Sequence, residues 1–142
     1  MIPTAALGDA GTMADAARRM FARAEQAIAD DPSNFVANAY GAYALAALGD
    51  GKRAREWMDR ALSGDSENQG MRYNLACAAC AYLHDLDLAV EVIGPLLAKG
   101  SDGYLQIAKS DPDLDLLRGD PRFEAMMADA EERLAKATEE PA

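Results

Sequence analysis

Apolar residues recur at helical spacing along almost the whole chain, and in two stretches they crowd onto more than one face of the helix they predict. The first predicted helix begins at residue 12 and ends near residue 30. Met13, Ala17, Met20, Phe21, Ala24, Ala27 and Ile28 form one stripe, and Arg18, Arg19, Arg23, Glu25 and Gln26 lie opposite. This is the pattern of a helix that covers a core on one side only. Thr12-Met13-Ala14-Asp15 has the form of a capping box at its start. Residues 1–11, which hold Pro3, Gly8 and Gly11, are expected to be a flexible lead-in.

Asp31-Pro32 stops this helix and starts the next, with Asp31 placed to cap and Pro32 in a first turn, where its missing N–H costs nothing. The second helix is predicted over 33–48, with Gly49 as its terminator. Its polar residues are almost gone by Ala39, which implies burial on more than one side. The third covers 51–63, with Ala54, Trp57, Met58, Ala61 and Leu62 inward. Ser66-Glu67-Asn68-Gln69 is a second capping-box pattern, and the fourth helix carries the alanine-rich stretch from Tyr73 as far as residue 83. The fifth spans 86–99 on a stripe of Ala89, Val92, Ile93, Leu96 and Leu97. Pro95 falls inside it, so a kink or break is expected there. After a turn come short helices over 104–109 and 112–118, and then a last helix from Pro121 that aligns Phe123, Met126, Met127, Ala130 and Leu134.

The chain has 142 residues, which suits one domain with room for a core. Half of its residues are hydrophobic but only 6% are aromatic, a balance that fits closely packed helices better than a sheet. The net charge of −10 argues against a nucleic-acid partner and against anionic membrane surfaces. No stretch reaches the roughly 18 apolar residues of a membrane span, so no membrane insertion is expected. The first residues carry no basic segment ahead of an apolar run, so no signal peptide is expected. Cys77 and Cys80 lie one turn apart in a predicted helix, where a bridge would distort the backbone. They read as free thiols in a reducing compartment, and the chain as a cytoplasmic protein.

Set above one another, the stretch from Phe35 to Asn68 and the stretch from Gln69 onward both give helix, Asp-containing turn, helix, at a period of about 34 residues. Ala42, Gly49-Asp50, Ala54 and Ala61 in the first unit, and Tyr73-Asn74-Leu75-Ala76, Asp85 and Ala89 in the second, resemble the tetratricopeptide repeat. Asp31-Pro32 and Asn34 match the close of a preceding unit whose first helix is missing. Ser66 stands where that family usually has proline, and Gly41 where it usually has leucine. The interval from Ala76 to Ala89 is one residue longer than that from Ala42 to Ala54, so the turn at His84 must bulge.

The resemblance implies an all-α fold of the α-solenoid kind, a right-handed superhelix of antiparallel helix pairs with a C-terminal capping helix. The expected organisation is a lead-in over 1–11 and helical repeats over 12–100, with units at 12–34 (partial), 35–68 and 69–100. Short helices and the capping helix over 101–138 follow, then a frayed tail over 139–142. Ser110-Asp111-Pro112-Asp113-Leu114-Asp115-Leu116-Leu117-Arg118 and Asp120-Pro121-Arg122-Phe123 are similar to the segment closing tetratricopeptide regions in bacterial class III adenylate cyclases and some serine/threonine kinases. The implied function is non-catalytic protein binding, as the C-terminal regulatory part of a larger bacterial signalling enzyme. A free-standing adaptor is the alternative. The implied peptide groove would be lined by Val36, Ala39, Tyr43, Ala46, Tyr73, Asn74, Cys77 and Cys80. A protein or peptide partner is expected, with a monomer favoured over a homodimer.

Cys77, Cys80 and His84 share one helical face at metal-ligand spacing, the basis of a third reading as a metal-binding sensor. The chain offers no further cysteine or histidine for a fourth ligand, and cysteine often serves as a small apolar filler. Asp111, Asp113 and Asp115 alternate as in a calcium loop but lack its later glycine and glutamate, and helix capping explains them more simply. With one histidine and no nucleophile–base pair in view, no enzyme activity, cofactor or metal is expected.

Overall fold

The computed structural model describes residues 4–139, with side chains over 11–138. Every element found there is helical: α1 (Thr4–Asp30), α2 (Phe35–Ala47), α3 (Gly51–Gly64), α4 (Gln69–Ala81), α5 (Leu86–Lys99), α6 (Asp102–Ser110), a 3-10 segment η1 (Pro112–Leu117) and α7 (Pro121–Glu139). The chain therefore belongs to the all-α class. It packs as two compact units, Met1–Asn68 and Gln69–Ala142, where length alone suggested one domain. Most of the expected frayed tail, residues 140–142, lies outside the described residues.

The first helix departs from expectation at its start. α1 begins at Thr4, so Thr12 and Asp15 lie inside the helix rather than at its N-terminus, and Asp15 instead pairs with Arg18 at 2.7 Å. Gly8 and Gly11 each cost about 1 kcal/mol against alanine in a helix interior, but neither stops it as proline would. The second capping box also shifts. α4 starts at Gln69, so Ser66 and Glu67 sit in the preceding turn, and the Asn68 amide donates to Asp65 at 3.1 Å.

In the first unit, α2 packs on α1 on one side and on α3 on the other. Gly41 lies where the three meet. A Cβ built there would overlap the Trp57 ring of α3 and lie 3.3 Å from Ala24 of α1. The Phe21 ring of α1 reaches the same indole at a centroid distance of 5.2 Å, and Arg53 sits over the Phe21 ring at 4.9 Å. This close approach accounts for a glycine at this position. Gly64, the last residue of α3, is likewise covered by the ring of Phe35, the first residue of α2, as antiparallel helices require.

In the second unit, α4 packs on α5, η1 lies against both, and α7 packs on α5 and α6. Leu114, Leu117 and Phe123 are fully buried here. Arg133 of α7 donates to the carbonyls of Leu97 and Gly100 at 3.0 and 2.8 Å, which satisfies the open end of α5. α5 runs without interruption through Pro95, so the expected break is absent. Pro95 and Glu91 one turn back are both exposed, and water can serve the carbonyl that the proline leaves without a donor.

Two turns share one pattern of backbone hydrogen bonds. Asp31 N–H donates to Ala27 and Asn34 N–H to Asp31. The same pair of bonds recurs at Asp65–Ala61 and Asn68–Asp65. From Phe35 to Gln69, the starts of α2 and α4, is 34 residues, whereas from Gly51 to Leu86, the starts of α3 and α5, is 35. The extra residue lies in the second turn. After α2, Asp50 N–H reaches back to Leu45 and Gly49 to Ala46, a Schellman motif with Gly49 at φ +86°. After α4, Asp85 N–H reaches Ala79, one residue further back, and His84 takes φ +52°. Asp50 and Asp85 then cap α3 and α5 alike, accepting from Arg53 and Leu88.

Gly41→Ala is expected to cost about 1–3 kcal/mol, the usual range for overpacking a close helix contact, and to lower the melting temperature of the first unit. Gly41→Ala with Trp57→Leu should recover part of the loss in the same thermal melt. An unchanged melt for the single variant would mean that Trp57 moves aside freely.

Candidate functional site

The eight groove residues fall into two groups, one in each unit. On α4, Tyr73, Cys77 and Cys80 are buried and only Asn74 is exposed. What covers them is the chain itself. Asp111, just ahead of η1, accepts a hydrogen bond from the Tyr73 hydroxyl at 2.6 Å through Oδ2, and the Cys77 thiol lies 3.9 Å from the same oxygen. The other oxygen of Asp111 accepts the Asp113 N–H at 2.9 Å and so caps η1. Arg118 closes the segment from its far end, donating to the carbonyls of Ala108 and Asp111 and pairing with Asp115. The Tyr104 ring of α6 packs beside Tyr73 with centroids 5.9 Å apart. Residues 111–117 therefore occupy the α4 face that the sequence offered as a peptide groove. In this structure Tyr73 and Cys77 meet Asp111, and Cys80 meets the amides of Leu116 and Leu117.

The electrostatics fit an anchor. Burial pushes the Cys77 thiol up to about 12 from an ordinary value of 9.0, and the charges of Asp111 and Asp113 add to the rise. Burial, then the hydrogen bond to Asp111, raises Tyr73. Cys80 is raised by burial, and the amides of Leu116 and Leu117 oppose this only in part. Asp113 is raised by burial and by the neighbouring Asp111 and Asp115 carboxylates. Both cysteines are free thiols.

The metal reading meets a different arrangement. His84 lies exposed in the turn after α4 and does not converge with Cys77 and Cys80. The one group of ligand atoms that converges within 4.8 Å among the described residues is Cys77 with Asp111 and Asp113. Its Asp111 oxygens already serve Tyr73 and the η1 cap. Of the other alternating aspartates, Asp115 accepts a local bond from Arg118 at 3.1 Å.

In the first unit, Ala39 and Ala46 are buried, Tyr43 is half-buried and Val36 is 44% exposed. Val36 belongs to a cleft of about 600 Å³ between α1 and α2, with Tyr40, 54% exposed, beside it. Arg19, Met20 and Arg23 form the α1 wall, and Ala24 and Ala37 line the space between. Tyr40 was missed in the sequence. The signal that marks it is a large ring in an alanine-rich helix, one turn after Val36. No protein-family model matches this chain, and no curated protein or solved structure matches it either. Among the described residues no helix is long and apolar enough to cross a membrane.

Because the folded Cys77 thiol ionises near 12 and an unfolded one near 9, only the unfolded state loses its proton between these values. Stability is thus retained below pH 9 and falls as pH rises toward 12, with the raised Tyr73 acting in the same direction. The melting temperature should drop between neutral pH and about pH 10.5, and Cys77→Ala should show a smaller drop over that interval. Tyr73→Phe removes the bond to Asp111 and is expected to cost about 1.5 kcal/mol in denaturant unfolding at neutral pH.

Proposed function

We propose that this chain is a non-catalytic protein-binding scaffold of the tetratricopeptide kind, a right-handed solenoid of antiparallel helix pairs closed at its C-terminus by η1 and α7. The recurring turn bonds at a period of 34 residues support the repeat reading. The observation that carries the binding reading is the contrast between the two units. The α4 face is filled by residues 111–117, while the cleft between α1 and α2 stays open with Tyr40 and Val36 exposed beside it. Exposed aromatic side chains in an apolar depression, rimmed by polar groups, are the usual anchors of protein recognition.

The adenylate-cyclase-like character of the closing segment supports a place as the C-terminal regulatory part of a larger bacterial signalling enzyme, with a free-standing adaptor as the alternative. An upstream cyclase or kinase domain in the same reading frame decides for the first, and its absence for the second. The binding role itself is tested by a photo-crosslinking amino acid placed at position 40, with position 56 on the exposed side of α3 as control. The expected result is a discrete cross-linked partner at 40 that is absent at 56. The same background pattern at both positions would sink the scaffold reading.

A further inference from the structure

The cleft in the first unit carries information about what it takes. Its α1 wall presents Arg19 and Arg23 one helical turn apart, both exposed, and neither has an ion pair or hydrogen bond to any described residue. Like charges at this spacing repel and weaken a helix by a few tenths of a kcal/mol. Asp15, one turn before Arg19, is already bonded to Arg18 at 2.7 Å. In a chain with 24 acidic and 14 basic residues, a paired and unneutralised positive edge beside exposed tyrosine and valine is a local exception.

The shape adds a second constraint. The α1 lining runs from Ala16 to Ala27 and alternates small side chains with Met20 along one side of the helix. At 1.5 Å per residue this stretch is about 16 Å long, or three turns. The facing wall is a second helix, α2, so the space is the groove between two helices, into which the ridge of a third can pack. Tyr40 and Val36, one turn apart on α2, stand at the height where the apolar ridge of an entering helix would run.

We infer that this cleft binds an amphipathic helix of a partner protein, about three turns long, with an apolar ridge against Met20, Val36 and Tyr40 and two acidic residues one turn apart facing Arg19 and Arg23. The inference rests on the scaffold reading and specifies the ligand class of the same surface. Recognition divides in the ordinary way: the apolar ridge supplies affinity, and the arginine pair sets partner choice and orientation. An acidic helix is accepted and a basic one is turned away by like charge.

The test uses a fluorescent synthetic peptide of about 14 residues, alanine-rich, with leucines at i, i+4 and i+7 and glutamates one turn apart, and a second peptide with lysines in place of the glutamates. Fluorescence anisotropy against the intact chain should give saturable binding of the glutamate peptide, weakening as salt is raised, and much weaker binding of the lysine peptide. The double variant Arg19→Glu, Arg23→Glu, checked for unchanged circular dichroism, should reverse the order of the two peptides. Tyr40→Glu should weaken the glutamate peptide by about tenfold or more, the equivalent of 1.4 kcal/mol. Equal binding of both peptides, no saturation with either, or an unchanged order in the double variant would overturn the inference. So would a stable dimer in light scattering that dissociates on Tyr40→Glu, since the occupant would then be a second copy. A discrete cross-link at position 40 together with no preference for the acidic peptide would remove this inference alone and leave the scaffold reading standing.

Discussion

Close approach of helix backbones at glycine and alanine is the contact on which both units depend. Ala42, Ala54 and Ala61 in the first unit, and Ala76, Ala78, Ala79 and Ala89 in the second, have no exposed surface. Each contributes little by its own burial, about 0.8 kcal/mol per methyl-sized group. Their value is that they let longer neighbours on both helices reach many atoms at once. Gly41 shows the limit of this arrangement: the helices come so near that the Trp57 ring takes the place of a side chain. Where small residues form the contact, the large ones are free to serve at the edges.

Those large residues are used differently in the two units. In the second, Tyr73 turns its hydroxyl to Asp111, and Leu114 and Leu117 bury themselves in the same unit, so the face of α4 is consumed in folding. In the first, Tyr40 and Val36 remain exposed beside the arginines of α1. Two helix pairs of similar build, the second with a turn one residue longer, thus yield a structural face in one place and an accessible one in the other. The turns themselves are local and autonomous, fixed by Asp50 and Asp85 capping the helices that follow.

Much of the helical framework was legible because it depends on neighbours in sequence. α5 was placed at its observed bounds since Asp85 caps its start and Gly100 follows its end, and the wider turn at His84 followed from one added residue between Ala76 and Ala89. The start of α1 was misplaced because Gly8 and Gly11 look like breakers, although a glycine only weakens a helix. The sequence set Tyr73, Asn74, Cys77 and Cys80 on the first helix of a unit, but left open whether the chain's own segments fill the groove they would line. The bond from Tyr73 to Asp111 joins residues 38 positions apart, and no periodicity within either segment encodes it. Tyr40 went unnoticed for the opposite reason: its interest lies in what does not pack on it, which a helical stripe cannot reveal.

The segment at 111–117 has a consequence for competition. Tethered to the same unit as the face it covers, it behaves as a ligand whose effective concentration is on the order of millimolar. A free peptide present at about micromolar levels would therefore need roughly a thousandfold better intrinsic affinity to displace it to half occupancy. The α4 face is in this sense occupied by a resident that never diffuses away, and ordinary cellular concentrations of a rival would leave it undisturbed.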